Sequence, residues 1–185
     1  MMGIYFAVIF FIVFIVVSQL LTPQEYDWKV NTISELAAQN YKNKKVMQTG
    51  FIGFGILLCG SMIFNMVFKE QALLKSLPIF IYALSVGLSG IFCTQPFIKN
   101  VQYLRTEARN HSFLAQLAGF SFVAAILICM FESTEIKFKI LHGIAFVFVM
   151  GCSILFGKVP RYRGVFQRIM YLGSFIWLLF LYPIL

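Results

Sequence analysis

Charge is what this sequence has least of: 12% of its 185 residues are charged, and only 7 are Asp or Glu. Soluble domains carry about a quarter charged residues, so a water-facing surface over most of the chain is excluded. The few charges also avoid the long apolar runs, which contain no Asp, Glu, Lys or Arg in the segments read below as spans. Pumps, proton relays and voltage sensors usually need ionisable groups at that depth, so ion-coupled transport is disfavoured. Cysteine is sparse too. Cys59, Cys93, Cys129 and Cys152 lie in apolar runs, with neither C-x-x-C spacing nor an adjacent histidine. They read as small packing residues rather than metal or redox centres. The N-terminus lacks the basic n-region and small-residue cleavage site of a signal peptide, so its apolar run is expected to stay as the first span.

What the chain has instead is hydrophobic length. Apolar runs fall at about 4–22, 49–68, 77–94, 112–131, 140–157 and 169–185. About 20 residues of helix cross a bilayer, whereas a barrel strand needs about 10 in strict alternation, so the runs read as helices. The expected fold is all-α: a polytopic integral membrane protein in which residues 1–185 form a single transmembrane domain, a six-helix bundle. Small residues spaced four apart offer close-packing faces: Gly55 with Cys59, Ala83 with Gly87, Ser85 with Ser89, and Ala115 with Gly119. Pro78 is expected in the first turn of the third span, where a missing amide costs nothing.

The net charge of +8 would suggest nucleic acid in a soluble protein, but here every cation sits between apolar runs. Loop cations fix orientation and touch anionic headgroups. Loops 1, 3 and 5 hold Lys29, Lys42, Lys44, Lys45, Lys99, Arg105, Arg109, Lys158, Arg161, Arg163 and Arg168, against Lys69, Lys75, Lys137 and Lys139 in loops 2 and 4. Eleven against four places loops 1, 3 and 5 in the cytoplasm, with both termini extracytoplasmic and the cell membrane as location.

The longest polar interruption is Tyr26–Lys45. Within it Thr32-Ile33-Ser34-Glu35 matches a capping box, in which Thr32 and Glu35 satisfy each other's backbone amides. The helix it starts would put Ile33, Leu36, Ala37 and Tyr41 on one side and Glu35, Gln39 and Lys42 on the other. A short interfacial helix is therefore expected in the first loop. A second one is expected within Gln95–His111.

Few positions can carry chemistry. His111 and His142 open spans that run in opposite directions, so they should lie on opposite membrane faces and share no metal. His111 should emerge beside loop 1, where Asp27, Glu35, Arg105, Glu107 and Arg109 could gather, with Thr94, Gln95 and Gln116 at the rim. A histidine near a carboxylate is a possible general base or proton switch. The alternative is loop ion pairs and a histidine satisfied at a helix start.

These residues carry a resemblance. Asp27 with Thr32–Ala37 (TISELA), the glycine-rich stretch Gly50–Gly60 and His111 at the fourth span resemble the bacterial six-helix membrane family Domain of Unknown Function 998. Family members commonly show a Phe-Pro-x-Asp type sequence after the third span, whereas this chain has Gln95-Pro96-Phe97 and no acid there. The resemblance implies the six-span fold, marks Asp27, Ser34, Glu35 and His111, and supplies no established activity.

The expected function is binding of a lipid, a small apolar molecule or a membrane partner at the face of loops 1, 3 and 5, with no cofactor. Membrane lipids, a protein partner or a second copy of the chain are the candidate partners, and nucleic acid is not. The alternatives are a lipid-modifying enzyme using His111 with Asp27 or Glu35, and a small transporter. The orientation has a direct check: in intact cells an impermeant thiol reagent should label Glu135→Cys and spare Asn43→Cys, and the opposite pattern would reverse the sidedness.

Overall fold

The computed structural model describes residues 2–68, 73–98 and 101–182. Lys69, Lys99 and the last residues of the sixth expected span lie outside them. Six α-helices are present among the described residues: α1 (Met2–Leu20), α2 (Lys44–Phe68), α3 (Leu73–Ser89), α4 (Arg105–Glu132), α5 (Ile136–Lys158) and α6 (Arg163–Ile176). No strand occurs among these residues. Among the described residues, five stretches are long and apolar enough to cross a membrane, the fifth being Pro160–Leu181, while α3 is a shorter apolar helix of 17 residues. At 1.5 Å per residue, the 19 residues of α1 extend about 28 Å, close to the hydrocarbon thickness.

The helices pack in chain order, each against the next. The sequence selects this arrangement through what it puts on each interface. Gly55 of α2 meets Gly87 of α3 so closely that a Cβ on Gly55 would sit 2.5 Å from the Gly87 Cα and 2.8 Å from the Ala83 carbonyl oxygen. Cys59, one turn on, lies with its Sγ 3.8 Å from the Phe80 carbonyl oxygen. The pairs Gly55 with Cys59 and Ala83 with Gly87 therefore form the α2–α3 crossing.

Where these small residues stop, aromatic rings fill the bundle. Phe11 of α1, Phe54 of α2, Tyr82 of α3, Phe122 of α4 and Trp177 follow one another with centroids 4.9, 5.9, 5.0 and 5.1 Å apart. Phe175 of α6 meets Phe11 edge to face at 5.9 Å. Each such pair adds roughly 0.5–1.5 kcal/mol beyond burial. The outside is apolar as well: Phe6, Ile56, Phe120, Ile144 and Leu172 are exposed. A soluble monomer avoids so continuous an apolar surface, and a bilayer solvates it.

Several details depart from the expectations. Pro78 lies inside α3, because the helix starts at Leu73. Its missing N–H leaves the Leu74 carbonyl without the usual i→i−4 donor. Nothing lies within 4 Å of the Cβ position of Gly119, and both it and Ala115 are exposed, so that small pair packs against no helix among the described residues. The first-loop helix is a single 3-10 turn, Ser34–Ala37, and it is buried on both sides rather than lying in the interface. Ala38 is extended and Asn40 takes φ 62°, a left-handed turn that Asn tolerates, so the chain cannot continue as a helix. No separate helix forms between Gln95 and Leu104 among the described residues; α4 begins at Arg105 and includes His111.

The crossing gives a sharp contrast. Gly55→Ala should force α2 and α3 apart and lower stability by about 1–3 kcal/mol. Gly60→Ala, with nothing within 4 Å, should be neutral or stabilising. Thermal unfolding of the two variants in detergent measures the difference.

Candidate functional site

Loop 1, between α1 and α2, has more backbone polar groups than a short turn can satisfy, and the chain meets them with side chains. Asp27 Oδ1 accepts from the Lys29 N–H at 2.9 Å, and Asn31 Oδ1 accepts from the Asp27 N–H at 2.9 Å. The expected capping box forms: the Glu35 N–H donates to Thr32 Oγ1 at 3.2 Å, and the Thr32 N–H donates to Glu35 Oε2. The second Glu35 oxygen, Oε1, receives Arg163 Nη2 from the start of α6 at 2.9 Å. The Glu35 side chain is only 6% exposed, so this pair is sheltered on the acid's side.

The rest of the α6 start carries loop 1. Gln167 Oε1 accepts from the Ile33 N–H at 2.6 Å. Arg168 Nη1 donates to the carbonyls of Trp28 and Asn31, both at 2.9 Å, and of Gly164 at 3.0 Å. Its Nη2 donates to Gln19 Oε1 at 2.7 Å and to the Tyr26 hydroxyl at 2.8 Å. The planar guanidinium fork suits such divergent acceptors, which a lysine could not span. Tyr26 passes the chain on by donating to the Thr32 carbonyl at 2.8 Å. Burial pushes the Tyr26 phenol up to about 12, against the opposing pull of the Arg168 guanidinium, so it stays a donor at neutral pH. Gly164 allows the approach: a Cβ there would lie 2.3 Å from the Asn31 carbonyl oxygen and 2.4 Å from that of Trp28.

The other half of loop 1 docks on loop 3. The Gln39 amide pairs with both backbone groups of Leu104, accepting from its N–H at 2.7 Å and donating to its carbonyl at 2.9 Å. The Gln39 N–H donates to the Thr94 carbonyl at 3.0 Å. Phe97 meets the edges of Tyr26 and Tyr41 at 5.4 and 5.6 Å. Loops 1, 3 and 5 thus form one assembly, as the helix count implies.

The marked residues distribute unevenly over it. Asp27 and Glu35 are in loop 1, and Glu107 Oε2 accepts from the Cys93 N–H at 3.3 Å. His111 Nδ1 faces the carbonyls of Ser89 and Phe92 at 2.9 and 3.0 Å, at the end of α3. Two carbonyl oxygens can only accept, so Nδ1 carries the proton and the lone pair lies on Nε2, which is buried without a partner among the described residues. No hydrogen bond joins His111 to Asp27 or Glu35 among the described residues. Ser34 and Thr94 are half-buried, while Gln95, Arg105, Arg109 and Gln116 are exposed, and none of these six side chains makes a hydrogen bond or ion pair among the described residues. His142 stands apart from all of these and accepts from Trp177 Nε1 at 2.9 Å. No group of three or more His, Cys, Asp or Glu that could hold a metal ion occurs among the described residues.

Sequence reasoning missed the residues that organise the site: Tyr26, Asn31, Gln39, Arg163, Gln167 and Arg168. By sequence Arg163 and Arg168 read only as loop charges, because the apolar run of the sixth span begins at Ile169 while the helix starts at Arg163. The available signal was spacing: Arg163 and Gln167, and Gly164 and Arg168, are i,i+4 pairs on one helix.

Comparison with family models matches residues 6–182 to the family described as Protein of unknown function (DUF998). The chain belongs to this family. Comparison with curated proteins and with solved structures yields no match. As a DUF998 member with several helices of membrane-spanning length and composition, it is a multi-span membrane protein, and membership adds no activity.

The α6 clasp predicts a selective failure. Arg168→Lys keeps the charge but loses most of the divergent bonds, so loop 1 should detach while the bundle stays folded. Trypsin cleavage at Lys29 in the purified protein should accelerate about fivefold or more, corresponding to roughly 1 kcal/mol or more of lost local stability.

Proposed function

We propose that this six-span membrane protein binds an anionic lipid headgroup at the face formed by loops 1, 3 and 5. The observation that carries the reading is a surplus of unpaired cations around a braced surface. Two ion pairs form among the described residues, Arg163 with Glu35 and Lys75 with Glu132, and the second is at the opposite end of the bundle. Lys29, Lys42, Lys45, Arg105, Arg109, Lys158 and Arg161 are exposed and have no acidic partner among those residues. A cation near an anionic membrane surface contributes about 1 kcal/mol, so the group together suits a phosphate-bearing headgroup.

The clasp matters because it fixes the positions of these charges. Lys29 is tied through its own carbonyl, which accepts from the Val165 N–H at 3.2 Å on α6. Arg161 and Lys158 lie just before that helix. The three cations therefore flank one rigid joint between loop 1 and α6. The positive-inside rule supports placing this face in the cytoplasm, where anionic lipid is enriched. The lipid-modifying reading needs His111 to work beside Asp27 or Glu35. The bonds that engage those acids elsewhere favour binding over catalysis.

Native mass spectrometry of the protein from nanodiscs containing phosphatidylcholine and phosphatidylglycerol tests the reading. The wild type should retain phosphatidylglycerol selectively, and retention should weaken with added salt. Replacing Lys29, Lys158 and Arg161 by Gln should reduce it by roughly fivefold per cation removed. Equal retention by the triple variant would sink the proposal.

A further inference from the structure

A polar stripe runs down one face of α4 from the loop end into the apolar region. Arg105, Arg109, Ser112, Gln116 and Gly119 follow one another at alternating steps of four and three residues, which keeps them on one side of the helix, and all five are exposed. Gln116 is the unusual member. At 1.5 Å per residue it lies about 10 Å deeper than Arg109 and about 24 Å from Glu132 at the other end of the helix, within the part of α4 that hydrocarbon surrounds. There its amide offers two donors and an acceptor that lipid tails cannot meet, and it makes no hydrogen bond among the described residues.

This face is covered at one end and open at the other. Three turns beyond Gly119, on the same side of α4, the Met130 sulfur lies 3.7 Å from the Cβ position of Gly143, so α5 covers the face there. Nothing lies within 4 Å of the Cβ position of Gly119, and Ala115 beside it is exposed. From Gly119 back to Arg105 the strip is therefore uncovered among the described residues, and it has room for an occupant.

The order of chemistry along the strip selects that occupant. Arg105 and Arg109, nearest the loops, have no acidic partner among the described residues. A second copy of the chain, held parallel by the membrane in a two-fold dimer across this strip, would set these arginines against their own counterparts. An anionic phospholipid is complementary instead, with its phosphate at headgroup level, its glycerol esters just beneath and its acyl chains deeper still. Helical side chains lean toward the N-terminus, which in α4 is the loop end, so the Gln116 amide reaches up toward the ester level. The Ser112 hydroxyl already donates to the Ala108 carbonyl at 2.9 Å, which leaves Gln116 as the donor there. We propose that this strip seats one anionic diacyl phospholipid, with its phosphate on Arg105 and Arg109 and a glycerol ester carbonyl accepting from the Gln116 amide. This seat rests on the headgroup reading above and extends it by a contact that depends on how the acyl chain is linked to glycerol.

An ether-linked lipid separates the two. In native mass spectrometry of the full chain from nanodiscs, the wild type should retain diester phosphatidylglycerol roughly fivefold better than its diether analogue, which lacks the carbonyl. Gln116→Leu puts an apolar side chain on a lipid-facing position and should melt no lower than wild type. It should retain the two linkages equally while still preferring phosphatidylglycerol to phosphatidylcholine. That headgroup preference, read in the same spectra, scores the headgroup reading separately. Equal retention of diester and diether lipid by the wild type, or a diester preference that survives in Gln116→Leu, overturns the seat on α4. A wild-type dimer that Gln116→Leu dissociates assigns the strip to a second copy and overturns it as well.

Discussion

The Arg168 guanidinium is the interaction on which the organisation of one end of this molecule depends. Loop 1 returns over the ends of the helices, and its carbonyls at Trp28 and Asn31 have no helical partners. In water such groups would be solvated, but folded against a membrane bundle they need donors supplied by protein. Arg168 supplies them while also holding Gln19 of α1 and Tyr26. One side chain on α6 therefore sets the path of the chain between α1 and α2.

Glu35 gains its meaning from that arrangement. Locally it is half of a capping box, and a capping box alone would place it on the surface of a short helix. Its second oxygen meets Arg163, so the same carboxylate closes a turn and fastens that turn to a helix formed much later in the chain. A burial that would be costly for a lone acid is offset by two donors. The apolar members of the turn, Ile33, Leu36 and Ala37, are fully buried as a result.

The helical character and the small-residue crossing of α2 and α3 were legible because hydrophobic length and the spacing of Gly55, Cys59, Ala83 and Gly87 are local properties of the chain. The grouping of loops 1, 3 and 5 followed from the alternation of the helices. What was not legible rests on contacts between distant residues. Helical spacing puts Gln39 on an outward face, yet it is buried because Leu104 offers a matching N–H and C=O. Helix alternation puts His111 beside the acids of loop 1, yet it turns to the carbonyls at the end of α3, which no motif announces. Ala115 and Gly119 show the limit of spacing alone, since a small pair creates a packing face only where another helix arrives.

The Gly164 joint has a further consequence for assembly. The first loop leaves the ribosome early, but the partners that brace it are separated from it by up to 142 positions along the chain, in the last helix. Contacts of such high sequence separation form only after the intervening chain is in place. Loop 1 therefore reaches its final path only when α6 is present and the bare backbone at Gly164 lies against Asn31 and Trp28. The clasp is thus a late step in folding, made only once the last helix has packed on the bundle.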